Sequence, residues 1–151
     1  MAYVRLKKVK SNYYGYLVEN KYRKKGPKQK VKKYLGRVSK PNLVYNIDFL
    51  KFFDVNNIKA YVKNRNKTKV INDLVKWELF KHGFDKDQLD DNEVLKINEG
   101  LLCNYHIRKL KRFNISGDER KVGTMLAEGF VNTGIKVPEE LFVEYFKRFV
   151  R

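Results

Sequence analysis

The sequence predicts an α+β fold: an N-terminal basic antiparallel sheet of about three strands, followed by four or five packed helices. Apolar and polar residues alternate with a period of two in the first 38 residues, and apolar residues recur at helical spacing from Leu43 onward. The charge divides in the same way. The first 70 residues hold 20 Lys and Arg against three Asp and Glu, whereas the remaining residues hold 14 of each. The formal net charge of +17 therefore belongs to the N-terminal half.

Three strands are predicted in the basic half. Tyr3–Lys10 alternates apolar with cationic residues, Ser11–Asn12 suits a short turn, and Tyr13–Arg23 is rich in strand formers. Residues 24–27, which contain Gly and Pro, break the chain, and Lys28–Val38 returns as a third strand. We expect an antiparallel meander with one buried and one solvated face.

The run YYGYLVENKYRKKGPKQKVKKYLG, residues 13–36, resembles a short basic hairpin near the N-terminus of some insertion-sequence transposases and some archaeal Fic-type proteins. The matching positions are Tyr14, Tyr16, Leu17, Val18, Glu19, Arg23, Gly26, Val31, Lys33, Tyr34, Leu35 and Gly36. The chain has neither an assignable acidic triad of the transposase type nor the HPF motif of Fic proteins. The resemblance therefore implies a shared hairpin module and not the chemistry of either family.

Pro41 cannot continue a regular strand, so we divide the chain into a basic β-meander, residues 1–41, and a helical region, residues 42–151. Leu43–Phe53 is apolar enough to join the two parts into one core, and Asn46 is its expected N-cap.

Further helices are predicted where apolar residues recur at helical spacing. These segments are residues 55–66, 68–82, 101–113, 116–134 and 138–151. Gly83 stands where a C-terminal glycine belongs, Ser116 and Glu119 form a capping-box pattern, and Pro138 suits a first helical position. The aromatic face of the last helix is expected to lie in the core or to contact a protein partner.

Cations interleaved with tyrosines are typical of nucleic-acid-binding surfaces. A merely solvated charged sheet would mix in acidic residues, but only Glu19 is available between Arg5 and Lys40. The candidate nucleic-acid-binding residues are Arg5, Lys7, Lys8, Lys10, Tyr13, Tyr16, Tyr22, Arg23, Lys24, Lys25, Lys28, Lys30, Lys32, Lys33, Tyr34, Arg37, Lys63, Arg65 and Lys67. Because lysine outnumbers arginine among them, contacts with phosphates are favoured over base reading.

These features favour a non-catalytic protein that binds structured RNA, with a ribosome or another RNA–protein particle as its setting. Two alternatives stay open: a DNA-binding accessory protein of a mobile element or regulator, with the sheet in a major groove, and a metal-dependent nuclease.

Other chemistry has little support in the sequence. Cys103, His82 and His106 are too few for a structural zinc site, and Asp90 occupies the position where a calcium loop needs glycine. No nucleotide-binding or nucleophile motif appears, so no catalytic residue, metal or cofactor is expected. A single cysteine and the lack of a long apolar run predict a cytoplasmic protein that does not enter membranes.

Overall fold

The computed structural model describes residues 2–23 and 25–150, without the side chains of Tyr22, Arg23 and Pro27. The predicted site residue Lys24 lies outside the described residues, as do the side chains of Tyr22 and Arg23. The strands are β1 (Ala2–Val9), β2 (Asn12–Arg23), β3 (Gly26–Ser39), β4 (Glu93–Ile97) and β5 (Gly100–Leu102). The helices are α1 (Phe49–Phe53), α2 (Ile58–Lys63), α3 (Lys67–Lys81), α4 (Asn104–Lys111), α5 (Glu119–Thr133) and α6 (Glu139–Tyr145), followed by a π-helical segment (Phe146–Val150).

The mixed α+β class is confirmed, and three strands come first as predicted, but the predicted number of strands is wrong. Strands β4 and β5 follow α3 inside the part predicted as helical, and the described residues form six helices where four or five were predicted. Within the described residues five strands form one sheet in the order β1-β2-β3-β4-β5. Strand β4 pairs in parallel with the end of β3, from Arg37 opposite Glu93 to Ser39 opposite Leu95, and β5 pairs antiparallel with β4. These strands have five and three residues, which is too short for a clear period-two pattern.

Two bulges in β3 determine which side chains enter the core. The register shifts on β3 leave Lys32 and Leu35 as extra residues opposite β2. At the second bulge Leu35 and Gly36 both lie on the inner side, where Leu35 is 5% exposed, and Arg37 returns to the open side opposite Tyr14. Gly36 has a φ of 127°, and a Cβ there would collide with the backbone of Asn92. Glycine at this position therefore permits the close approach that brings β4 to β3.

The hydrophobic core has a large and a small part. The large part surrounds Leu74 of α3 and includes side chains from α1, α2, α5, α6 and β4. The small part lies beneath the sheet and consists of Leu35, Val94 and Cys103, with Val4 and Leu17 packed against it. One face of the β1–β3 meander is thereby covered, which leaves its other face to solvent.

Several turns and caps differ from the expected positions by one to three residues. The β1–β2 turn is Lys10–Ser11, with a φ of 57° at Lys10, and not Ser11–Asn12. Helix α1 begins after Asp48. The N-cap of α5 is Asp118, whose carboxylate accepts from the backbone N–H of Arg120. The predicted glycine after α3 is confirmed, because Gly83 follows the C-cap with a φ of 85°.

The aromatic face of the last helix lies mainly in the core. Leu141 and Tyr145 are fully buried, and Phe142, Phe146 and Phe149 pack partly against the large core. Pro138 is the N-cap of α6 and not its first residue. No helix in the described part of the chain has both the length and the apolar character needed to cross a bilayer.

Candidate nucleic-acid interface

The open face of the meander, which we call the outer face, is fixed by the alternation of side chains and by the strand register. Arg5 lies opposite Tyr16, Lys7 opposite Tyr14, Tyr16 opposite Tyr34, and Tyr14 opposite Arg37. The same alternation places further residues on this face. The outer face consists of Tyr3, Arg5, Lys7, Val9, Asn12, Tyr14, Tyr16, Val18, Asn20, Gln29, Val31, Tyr34 and Arg37, of which Val18 is itself buried.

Three tyrosines form a cluster at the centre of the outer face. The ring centroid of Tyr34 lies 5.3 Å from that of Tyr16 and 6.4 Å from that of Tyr14, with tilted ring planes. Tyr34 is 46% exposed, and the other two rings are partly exposed. Together with Val9 they line a shallow apolar depression of about 400 Å³. A flat aromatic ligand can lie against such a surface. We call Tyr14, Tyr16 and Tyr34 the tyrosine cluster.

Hydrogen bonds hold the two arginines of the outer face in place. Arg5 donates to the side-chain oxygen of Gln29, whose amide nitrogen donates to the hydroxyl of Tyr3. Arg37 donates to the side-chain oxygen of Asn12 at 2.8 Å. Among the described residues neither guanidinium has a carboxylate partner within ion-pair distance. Both retain N–H donors for an anionic ligand, since a guanidinium has five.

Acidic compensation is nearly absent from the meander. Glu19 is the only Asp or Glu before Asp48 in the sequence, and its carboxylate pairs with Lys32 at 3.0 Å. The hydrogen bond from Lys32 lowers the pKa of Glu19, so this group is ionised at neutral pH. A single carboxylate cannot neutralise the surrounding lysines and arginines. The meander therefore produces a positive field in solution.

The hairpin of β2 and β3 extends beyond the end of β1. The last β1 pair is Ala2 with Glu19, and four further pairs follow, ending with Arg23 opposite Gly26. In this extension Lys21 lies directly opposite Lys28. Like charges at facing positions repel each other and destabilise a hairpin. An anionic ligand bound at this point would relieve the repulsion.

The predicted binding cations fall into two groups on opposite sides of the meander. Lys33 lies opposite Leu17, and Lys30 opposite Glu19, so their side chains lie on the side of β3 away from the tyrosine cluster. The cations beside the cluster are Arg5, Lys7 and Arg37. One flat surface of a ligand cannot contact both groups, and a nucleic acid that reached both would have to bend around the hairpin.

Tyr13 and Tyr14 differ in the same way. Tyr13, a predicted stacking residue, pairs with Lys8 on the inner side, where the ammonium lies 5.8 Å from its ring centroid. Tyr14 is not among the predicted residues but belongs to the tyrosine cluster. The period-two alternation already placed Tyr14 with Tyr16, and this pattern was the signal that could have identified it.

Of the three predicted contacts at and between α2 and α3, Arg65 and Lys67 have partners within the helical region. The guanidinium of Arg65 lies 4.0 Å from the ring centroid of Tyr61 and 3.8 Å from a carboxylate oxygen of Asp73. Lys67 donates to the carbonyl oxygen of Phe113, and burial lowers its pKa. Lys63 is exposed. A role of these three residues in binding remains a prediction.

The cysteine and the histidines have local partners. Cys103 is buried, and burial raises the pKa of its thiol. The Nδ1 atom of His82 lies 2.8 Å from the carbonyl oxygen of Glu78, and that of His106 lies 2.7 Å from the carbonyl oxygen of Leu101. In the described ranges, 2–23 and 25–150, no three His, Cys, Asp or Glu side chains converge as metal ligands would.

No protein-family model, curated protein or solved structure matches the chain. The resemblance of residues 13–36 to basic hairpins of transposases and Fic-type proteins therefore stays a prediction.

Proposed function

We propose that this protein is a non-catalytic nucleic-acid-binding protein that acts on structured RNA in the cytoplasm, on a ribosome or another RNA–protein particle. The observation that carries the proposal is the tyrosine cluster on an open sheet face, with Arg5, Lys7 and Arg37 beside it and Glu19 as the only acidic residue of the meander.

The tyrosine cluster favours RNA with unpaired bases. Stacking of a base on an aromatic side chain contributes about 1–3 kcal/mol and depends little on sequence. Loops and bulges of folded RNA offer such bases, whereas the deep, narrow major groove of an A-form helix cannot be read by side chains. Tyr16 and Tyr34, with ring centroids 5.3 Å apart, would hold two neighbouring bases of a loop.

The cations would bind the phosphates on either side of the stacked bases. Lys7 and Arg37 flank Tyr14 in the register, and Arg5 lies beside Tyr16. As neighbours of the rings in the strand register, these cations would contact the backbone of a strand whose bases lie on the rings. Contacts of this kind position the ligand and carry little sequence information. We therefore expect a preference for RNA shape over RNA sequence.

Neighbouring lysines of β1 provide a matched test of the outer face. Lys7 and Lys8 lie on opposite sides of the strand, and Lys7→Glu and Lys8→Glu change the net charge by the same amount. Long-range attraction therefore falls equally in both variants. Affinity for a stem-loop RNA, measured by fluorescence anisotropy, should fall at least tenfold further in Lys7→Glu. Equal losses would contradict binding at the outer face.

Duplex DNA is the second candidate ligand, because the β2–β3 hairpin extends four residue pairs beyond β1. A two-stranded ribbon fits the major groove of B-DNA. Lys25→Glu with Lys28→Glu would then abolish binding to duplex DNA, whereas loss of the tyrosine cluster would have no effect. RNA binding at the outer face predicts the opposite ranking: loss of the tyrosine cluster should weaken RNA binding more than Lys25→Glu with Lys28→Glu, which would act only through long-range attraction.

We also propose a protein partner at the C-terminal helices. Gly123 and Ala127 of α5, together with Phe142 and Phe146, line an open groove of about 730 Å³. Small residues beside aromatic rings leave room for a side chain of another protein. A pull-down with Ala127→Trp as the filled-groove variant would test this contact; unchanged recovery of every co-purifying protein would contradict it.

A further inference from the structure

A second candidate site is a cleft between the edge of β1 and the helical region. It has a volume of about 620 Å³ and lies among Tyr3 and Val4 of β1, the β4–β5 turn, and helices α4 and α5. Its walls are largely apolar: Leu101, Leu110, Phe113, Ile115 and Met125 contribute to them. A cleft of this size, with apolar walls and a few polar groups, is typical of small-molecule sites.

His106 provides one of the hydrogen-bonding groups that line this cleft. Its Nδ1 lies 2.7 Å from the carbonyl oxygen of Leu101, which can only accept, so Nδ1 carries the proton. Burial, with a smaller contribution from Lys109, lowers the pKa of the imidazole. The ring is therefore neutral at pH 7, and Nε2 is a hydrogen-bond acceptor. Within the described residues Nε2 has no hydrogen-bond partner and is not sealed from solvent.

The charges around the cleft differ from those of the outer face. Lys96 and Lys109 are balanced by Glu99 and Glu128, and Asn132 adds a neutral amide. A balanced rim gives no net attraction for a polyphosphate. It suits a neutral heterocycle that stacks on the apolar walls and donates an N–H group to the imidazole.

We propose that this cleft binds a single nucleobase whose edge donates an N–H hydrogen bond to Nε2 of His106. Tyr3 lies on the outer face and also lines the cleft, so a strand bound to the tyrosine cluster can reach the cleft over the edge of β1. That the base belongs to a bound RNA rests on the proposed RNA-binding function. A free nucleoside monophosphate offers the same base edge and is the other possible source of the nucleobase.

The chemistry is tested with AMP and with N6,N6-dimethyl-AMP, whose exocyclic nitrogen has no proton. Nitrogen-detected NMR of the histidine side chains follows Nε2 of His106 during each titration, with His82 as the internal control. We expect AMP to shift Nε2 of His106 and the dimethyl analogue to bind at least fivefold more weakly. His106→Phe, which keeps an aromatic ring, should lose this discrimination, and Met125→Trp, which fills the cleft from an exposed position, should bind neither nucleotide.

The source of the base is tested with a stem-loop RNA that has one 2-aminopurine in its loop. If AMP does not bind, a fluorescence change of the loop base that disappears in Met125→Trp still supports the cleft as a site for an RNA base. Binding of AMP without binding of RNA supports the cleft and contradicts the proposed function. RNA binding that Met125→Trp and His106→Phe leave unchanged, with no effect of AMP on Nε2, overturns this inference and leaves the outer face intact.

Discussion

Substitution of Tyr34 tests the tyrosine cluster directly. Tyr34 contacts both other rings of the cluster, with centroid distances of 5.3 and 6.4 Å, so Tyr34→Ala removes the shared part of the stacking surface. One lost base contact costs about 1–3 kcal/mol, which corresponds to a decrease in affinity of roughly 5- to 150-fold. Fluorescence anisotropy with a labelled stem-loop RNA at fixed salt measures this change.

Tyr13→Ala is the matched control for this measurement. Tyr13 is 45% exposed and Tyr34 46% exposed, and both lie on the basic meander, but Tyr13 lies on the inner side. Thermal unfolding of the two variants should be similar, because the same amount of aromatic surface is lost. An affinity loss in Tyr13→Ala as large as that in Tyr34→Ala would refute the assignment of binding to the outer face.

Three further predictions follow from charge and packing. Binding to single-stranded RNA should weaken as salt is added: the logarithm of the binding constant should fall against the logarithm of the salt concentration with a slope of about −4 if roughly six phosphates are neutralised. A slope near zero, measured by fluorescence anisotropy over a salt series, would contradict phosphate binding. Tyr61→Phe should lower Tm by about 2–8 °C, since the hydroxyl of Tyr61 donates at 2.6 Å to the buried carboxylate of Asp73 and its loss costs about 1–2 kcal/mol. Tyr145→Phe should leave Tm unchanged or raise it, because the hydroxyl of Tyr145 is buried without a hydrogen-bond partner; a calorimetric Tm several degrees lower would show that this hydroxyl has a partner.

Local patterns predicted the meander and the long helices well. The alternation in residues 3–38 gave the three N-terminal strands, and helical spacing gave α3 and α5 with the glycine after each. These segments are long and strongly periodic, and their caps lie within the same stretch of sequence. These strands and helices can therefore be predicted from the local sequence, without knowledge of tertiary contacts.

Strands β4 and β5 could not be found in this way. Strand β4 follows an acidic segment and pairs in parallel with β3, which ends more than 50 residues earlier. Such pairing depends on long-range contacts, here the approach of Gly36 to Asn92. Leu101 and Leu102 also fit the apolar spacing of the next helix, so the local pattern favoured helix where the sheet required a strand.

The candidate site was predicted in composition but not in arrangement. The sequence identified the basic, tyrosine-rich meander, but the side of each lysine depends on the two bulges of β3. A bulge places two consecutive residues on the same side of a strand, as at Leu35 and Gly36, and regular alternation cannot locate it. Tertiary structure was also needed to show that Arg65 lies beside Asp73 and that Lys67 donates to the carbonyl oxygen of Phe113.

Binding of RNA at the outer face is the central claim, and an NMR titration of the isotopically labelled protein with a stem-loop RNA tests it most directly. Amide shifts should concentrate in β1–β3, and the aromatic resonances of Tyr14, Tyr16 and Tyr34 should move upfield on stacking. Shifts confined to the helices, or none at low salt, would contradict the assignment of the outer face as the RNA-binding surface.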